Sequence, residues 1–489
     1  MKIESIWMNE YKKPSKKKKK ELNDTDILII GGGITGLSCA YFLKDSAHQV
    51  TLLDKGKIGM GITSRTTAKI NYLQGTIYQD LEKYYGTKKS KLYLDSQLDA
   101  IHFIESIVKK EKIECNLEKV DAFLYTNEEK KIPKINKEME LLKSFDIKVG
   151  EVTSLPISEI PILKGIVVSD TYVFHPMKYL LGLWKNIKNS VQIEEEVLVQ
   201  EITLQKDGTY LISTSNGTFS SKIVIVACHY PFFIKPGFFP LFSYLKREYV
   251  QAVKVKKPYH FTAINIDSSL QSIRFYKDYL IYGSREKKLT SSYDYENEYK
   301  KSKEEFLHFF NKEPEYSWMN QDLMMNDSIP WIGVLDKNQP NLYIATGYQA
   351  WGMTNGTIAG KIISDLIQKK QNPYAKLFSP LRTMKPNLIP TLTNGFEYLK
   401  AYTKTYLDKN PKFHSKHAMI LKINGIDCGV YIDKEGKKHV VRNLCPHLKC
   451  KLVFNTLEET WDCPCHGSRF SIDGDVIEGP ATFSIRIQK

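Results

Sequence analysis

The chain predicts an α/β fold in two parts: a dinucleotide-binding domain interrupted by an α+β insertion, then a small all-β domain at the C-terminal end. Two stretches carry that reading. The first is the apolar run Asp26-Ile27-Leu28-Ile29-Ile30, which leads directly into Gly31-Gly32-Gly33-Ile34-Thr35-Gly36 and a helical pattern through Leu43. The second pairs Cys445-Pro446-His447-Leu448-Lys449-Cys450 with Cys463-Pro464-Cys465-His466-Gly467-Ser468, which puts four of the eight cysteines within twenty-one residues. Paired with histidines in two short loops, these cysteines form a metal-site pattern.

A length of 489 residues allows two or three domains with ample core. The net charge of +15 would suit a nucleic-acid binder, but eight Lys and two Glu in residues 1–20 hold +6 of it. The excess is lysine, with only eight arginines, whereas phosphate and base readers favour the arginine fork. No nucleic-acid partner is therefore expected. Residues 1–22 read as a solvated, mobile basic leader, whose run Lys16 to Lys20 has the charge to touch an anionic membrane face. No apolar segment follows the early lysines as in a signal peptide, and no transmembrane segment is expected. The location read from this is cytoplasmic, with peripheral contact to the inner membrane face left open.

Gly31, Gly33 and Gly36 sit between a strand and a helix, where glycine lets the backbone approach a pyrophosphate at the helix N-terminus. Val50-Thr51-Leu52-Leu53-Asp54 is a second strand whose closing acid is placed to accept from ribose hydroxyls. Gly56 to Ala68 is a Gly- and Thr-rich loop. It resembles the second cofactor-contacting segment of the D-amino-acid oxidase and sarcosine oxidase family of flavoproteins. The resemblance implies FAD, with Ser64, Arg65 and Thr66 beside it. Asn341 to Gly347 is a strand entering a turn, and Trp351-Gly352-Met353-Thr354-Asn355-Gly356 opens a helix to about Gln368. In that family this returning strand and helix complete the FAD domain, which implies Gly347, Gly352, Met353 and Thr354 as further contacts.

Between these ends the sequence says less. Helical periodicity marks Leu94 to Val108, and His175-Pro176 opens another helix, with His175 read as a cap or core partner. Glu194 to Leu204, Tyr210 to Thr214 and Lys222 to Ala227 alternate like strands. Cys228 reads as a buried structural thiol. A substrate carboxylate would want an arginine fork. Arg274 is the candidate, in the strand-like Gln271 to Tyr276, with Tyr249 and Arg247 next; a surface ion pair is an equal reading of each. Residues 376–412, broken by Pro380, Pro386 and Pro390, read as a linker between a flavin domain at 23–375 and the all-β domain at 413–489.

In the C-terminal loops, two thiolates and two imidazoles would serve a zinc site as well as an iron–sulfur cluster, and composition alone leaves both open. The loops resemble the Rieske family, in which one iron of a [2Fe-2S] cluster takes two Cys and the other two His. The resemblance implies Cys445 and Cys463 on one iron and His447 and His466 on the other, each histidine showing a ring nitrogen to solvent. It also implies a Cys450–Cys465 disulfide, a Ser468 hydroxyl on a bridging sulfide, and Gly479-Pro480-Ala481 as the covering loop. Lys449 departs from a usual glycine, and Phe470 from a tyrosine.

The whole reading is α/β: a Rossmann-like FAD-binding domain with an inserted α+β substrate domain, followed by a small all-β Rieske domain. The expected function is an FAD-dependent dehydrogenase. It would oxidise a small-molecule amine or amino acid at a C–H next to nitrogen and pass single electrons through the cluster to a protein or quinone acceptor. The alternatives are an electron-transfer reductase, or a redox sensor, serving a protein partner. A Rieske oxygenase would need a further iron on two His and a carboxylate, and the remaining nine histidines are scattered.

Overall fold

The computed structural model describes residues 1–11, 21–233, 235–237, 239–289, 293–383 and 418–487. Its first sheet is built on Thr25–Ile30, which pairs in parallel with Val50–Asp54 on one side and Gly217–Val226 on the other. Gln339–Thr346 joins Gly217–Val226 in parallel, Trp331–Asp336 closes that edge antiparallel, and Val191–Glu195 closes the opposite one. Both faces are covered, so the strands are apolar at successive positions. Ile27, Ile29 and Leu52 enter one core, while Leu28, Ile30 and Leu53 enter another.

The helix Ile34–Leu43 leaves the first strand and packs along Gly352–Ile367. Small residues make that approach possible: a Cβ on Gly360 would lie 2.6 Å from the Ser38 Cβ. The expected strand-turn-helix at each end of the flavin domain is therefore observed, and the two helices are neighbours.

The insertion is a nine-stranded mixed sheet, with Ser243–Lys254 between Tyr279–Lys288 and Tyr316–Met325 in its antiparallel half. Helix Thr87–Lys110 is longer at both ends than the periodicity of Leu94 to Val108. The C-terminal domain holds a three-stranded sheet, Ala418–Ile423 with Ile426–Ile432 and Lys438–Arg442, and a four-stranded one from Val453–Asn455 to Val476–Glu478. In its core Tyr431 stacks on Phe454, which meets Trp461 edge to face. Asp473-Gly474 forms the expected turn, with Gly474 at φ 90.

Three expectations change. The leader is not free over its first eleven residues: Trp7 is fully buried, its Nε1 donates to the Thr66 carbonyl at 2.7 Å, and Lys2 donates its backbone N–H to Glu315. An indole outweighs the charge around it once it finds an apolar slot. The lysine run Lys16 to Lys20 lies outside the described residues. Glu194 to Leu204 is two strands, broken where Glu196 takes a left-handed φ of 61. Past residue 375, Leu377 and Phe378 are buried and Arg382 bonds Asp327 at 2.6 Å, so the chain through 383 packs on the flavin domain. The remainder of the expected linker, from residue 384 on, is outside the described residues.

Candidate functional site: a cavity between two cofactor-binding folds

A cavity of about 420 Å³ runs from the Gly31–Gly33 turn to the C-terminal domain. Its glycine end has no room for side chains. A Cβ on Gly36 would sit 1.8 Å from the Gly31 carbonyl oxygen, and one on Gly31, at φ 110, would sit 2.6 Å from the Ala227 carbonyl oxygen. The turn is thus pressed between two strands and the helix, leaving the first-turn N–H groups at the cavity. Asp54 closes the turn by accepting from Gly32 N–H and Gly56 N–H, each at 2.7 Å. Burial pushes its carboxyl up, against those two bonds. A cradle of glycine backbone, a helix N-terminus and a carboxylate fits the diphosphate and ribose of FAD.

Of the residues expected at the cofactor, Gly31, Gly33, Asp54, Arg65, Thr66, Gly347, Gly352 and Met353 line this cavity. Gly36, Ser64 and Thr354 do not. Gly36 acts through packing, Ser64 bonds the Gly61 carbonyl at 2.8 Å, and Thr354 accepts from Gln74 at 3.2 Å. The chain's own N-terminus holds the middle of the loop, with Ser5 donating to the Ser64 carbonyl and Trp7 to that of Thr66.

In the C-terminal domain Cys445 and Cys463 are each 1% exposed, and the Cys445 thiol hydrogen-bonds with Cys463 and Ser468. The His447 and His466 rings meet edge to face at 5.1 Å, and His447 Nε2 is buried without a hydrogen-bond partner. Burial pushes the His447 imidazole down to about 4, which keeps it in the neutral, metal-ligating form. Two buried thiols beside one buried and one half-buried imidazole fit a two-Cys, two-His cluster. Cys463 Sγ also lies within 4.8 Å of Cys450 and Cys465, but those two sulfurs form a disulfide and are not available as thiolates. Ser468 Oγ accepts the Ala481 N–H at 3.0 Å, which ties the Gly479-Pro480-Ala481 loop to the second ligand loop. Lys449 adopts φ 58, the left-handed conformation a glycine would supply.

Of the two histidines expected at the surface, His447 is half-buried and His466 does not face solvent. His466 is 5% exposed and meets Tyr230 of the flavin domain at 5.9 Å, with the intervening surface buried by docking of the two domains. That docking rests on charges. Arg65 Nη1 donates to Glu458 at 2.6 Å, and Glu458 also pairs with Arg469. Arg469 reaches Asp462, and Asp462 accepts from Arg247 at 2.7 Å. Burial alone would push Glu458 up, but Arg469 and Arg65 hold it down at about 2.

The expected substrate residues are elsewhere. Arg274 donates to the carbonyls of Thr67, Ala68 and Phe174 at 2.6 to 3.0 Å and lies 4.9 Å from the Trp7 ring. Its fork is consumed by backbone, which joins the cofactor loop to the substrate sheet. The Tyr249 hydroxyl is buried and donates to Tyr295 at 2.9 Å, Arg247 belongs to the domain interface, and Arg285 pairs with Glu298 at 3.1 Å. None of these three arginines lines the cavity, although Arg247 Nη2 is buried without a hydrogen-bond partner. His175 caps its helix by accepting from Lys178 N–H, and Cys228 is pushed up to about 12 by burial, as suits a structural thiol.

Sequence reasoning missed Asn320 and Asp322, which line the cavity from Tyr316–Met325. Their alternation with Met319, Gln321 and Leu323 was the available signal, since alternate strand residues share a face. It also missed Arg469 and Glu478, which reach the same cavity from the C-terminal domain.

Comparison with known proteins follows the two domains. The model of FAD-dependent oxidoreductases matches residues 26–366, and that of the Rieske [2Fe-2S] domain matches 405–488. YhfW of Bacillus subtilis, described as a Rieske 2Fe-2S iron-sulfur protein, is 31% identical, covering 98% of this chain and 96% of its own length. Gamma-glutamylputrescine oxidoreductase of Escherichia coli is 21% identical over 70% of this chain and 83% of its own. The crystal structure of glycine oxidase from Geobacillus kaustophilus shares the fold, with a TM-score of 0.63 at 16% identity over 74% of this chain and all of that one. Among the described residues, no helix is long and apolar enough to cross a membrane.

Proposed function

The chain belongs to the FAD-dependent oxidoreductase family and carries a C-terminal Rieske domain, and from that premise we propose a dehydrogenase that couples the two cofactors. Its substrate is an amine or amino acid, a class to which the substrate named for the relative gamma-glutamylputrescine oxidoreductase belongs. When bound, FAD takes a hydride from a C–H next to nitrogen, and the cluster takes electrons singly on their way to a protein or quinone acceptor.

The observation that carries this reading is the shared cavity. Tyr230, which lines it from the flavin domain, touches His466, while Arg469 and Glu478 line it from the Rieske domain. In this reading Cys445, Cys463, His447 and His466 hold the cluster. Gly31, Gly33, Asp54, Thr66 and the start of helix Gly352–Ile367 hold the flavin nucleotide. The helix N-terminus favours negative charge beside it. Arg65, bonded to Glu458, fixes one domain against the other, so the distance between the sites is set by folding rather than by a tether.

Anaerobic mixing of the purified protein with amines, D-amino acids and N-methyl amino acids tests this. Flavin absorbance and the EPR signal of the reduced cluster are followed together. The expected result is bleaching by one compound with the cluster signal rising in the same mixture. Reduction of both centres by dithionite alone would refute the dehydrogenase and leave a protein electron donor.

A further inference from the structure

Three carboxylates line the cavity, and they differ in what holds them. Asp54 has its two backbone N–H groups. Glu478 faces His229 at 3.5 Å and Arg469 at 3.7 Å. Asp322 has no ion-pair partner among the described residues and accepts only from the Asn320 amide, at 2.7 Å. Asn320 in turn is 7% exposed, and its Oδ1 is buried with no hydrogen-bond partner. The cavity's two arginines are both engaged, Arg65 by Glu458 and Arg469 by Glu458 and Asp462. Nearby Lys246 is held by Glu286 at 2.7 Å, and Lys69 by Ser272. Lys55 lines the nucleotide end, beside Glu478 and Asp54. On the wall formed by Tyr316–Met325 the groups left over are acceptors, and a buried acceptor without a donor is costly.

Gln349 bonds the Met325 carbonyl at 3.0 Å, and Gly347 packs against the Met325 side chain. The strand bearing Asn320 and Asp322 therefore ends at the loop that leads into helix Gly352–Ile367.

We propose that Asn320 and Asp322 bind a protonated nitrogen of the substrate, and that the substrate is a cationic amine of the diamine class rather than an amino acid held by its carboxylate. This rests on the oxidoreductase reading above. A nitrogen that feeds electron density to the carbon being oxidised must be unprotonated, so the ammonium at Asp322 is a second nitrogen of the same molecule. Arg274, Arg247 and Arg285 do not line the cavity, so no arginine of the insertion meets a substrate carboxylate there. Burial pushes Asp322 up to about 7, with Glu286 and Glu478 adding to the rise and His229 and Lys246 opposing it. A carboxyl in that setting gains its charge from an incoming cation.

The test is calorimetric titration of the oxidised, FAD-loaded full chain with 1,4-diaminobutane, glycine and N-methylglycine, without oxygen. The diamine should bind at least about tenfold more tightly than either amino acid. Asp322→Asn and Asn320→Leu should each weaken it by about tenfold or more while flavin content per chain stays unchanged, a loss in keeping with a hydrogen bond to a charged group. Equal binding of glycine, absence of diamine binding, or an unchanged diamine affinity in Asp322→Asn overturns the proposal. So does loss of flavin with diamine affinity retained, since the acceptors would then serve the cofactor. Bleaching of the flavin by N-methylglycine regardless of Asp322 sinks the substrate class and leaves the dehydrogenase standing. Asp322-dependent diamine binding with no bleaching by any compound does the reverse.

Discussion

The two ends of the cavity are made of different materials. At the nucleotide end the turn is held by its own backbone, with Gly31 N–H donating to the Leu53 carbonyl and Gly32 N–H to Asp54, and a Cβ at Gly36 would already overlap a carbonyl. At the cluster end the contacts are long charged side chains, Arg65, Arg247, Glu458, Asp462 and Arg469, drawn from three distant stretches of chain. A backbone site tolerates one residue type and fails abruptly when that is changed. A side-chain network shares its charge among partners, and its failure depends on which member is left behind.

The sharpest break in this comparison exchanges the two losses. Gly36→Ala forces a Cβ to within 1.8 Å of the Gly31 oxygen and should abolish flavin binding, while the EPR signal of the reduced cluster persists. Cys445→Ser should remove the cluster signal and leave flavin absorbance at one per chain. Loss of both signals in both variants would mean that the domains do not load independently.

Next in size is the charge network. Asp462→Ala leaves Arg247 without its carboxylate in a fully buried position, and breaking a buried pair in this way costs about 3–5 kcal/mol. Urea unfolding followed at the cluster's absorbance should shift by that amount, and a shift below about 1 kcal/mol would show the interface to be wet. Acid offers a gentler probe of the same network. Glu458 is held at about 2 when folded, below its ordinary value of 4.5, so its stabilisation is complete above about 4.5 and disappears as pH falls towards 2. The wild type should lose stability over that window, and Glu458→Gln, weaker at neutral pH, should show a flatter curve there.

The smallest effect belongs to a single backbone angle. Lys449 holds φ 58 in the first ligand loop, and Lys449→Gly relieves a strain of about 1–2 kcal/mol, partly offset by the greater freedom of glycine when unfolded. A rise in melting temperature of a few degrees is expected. A fall would mean that the lysine side chain contributes more than its backbone conformation costs.

By itself the amino-acid order determined what local chemistry determines. Only glycine fits between the strand at Ile30 and the helix at Ile34, so the nucleotide turn is legible wherever strand, glycines and helix coincide. Cysteine and histidine in two short loops are equally plain, and so is the Cys450–Cys465 pair once the resemblance is seen. Tertiary structure decided the rest, because it depends on partners hundreds of residues apart. Arg274 looked like a substrate fork until Thr67, Ala68 and Phe174 took its donors. Trp7 stood in a stretch dominated by lysine and is a plug beneath the cofactor loop. His466, expected at the surface, is covered by Tyr230. In each case a side chain's role follows from which groups remain unsatisfied after docking, and that is a property of the folded whole.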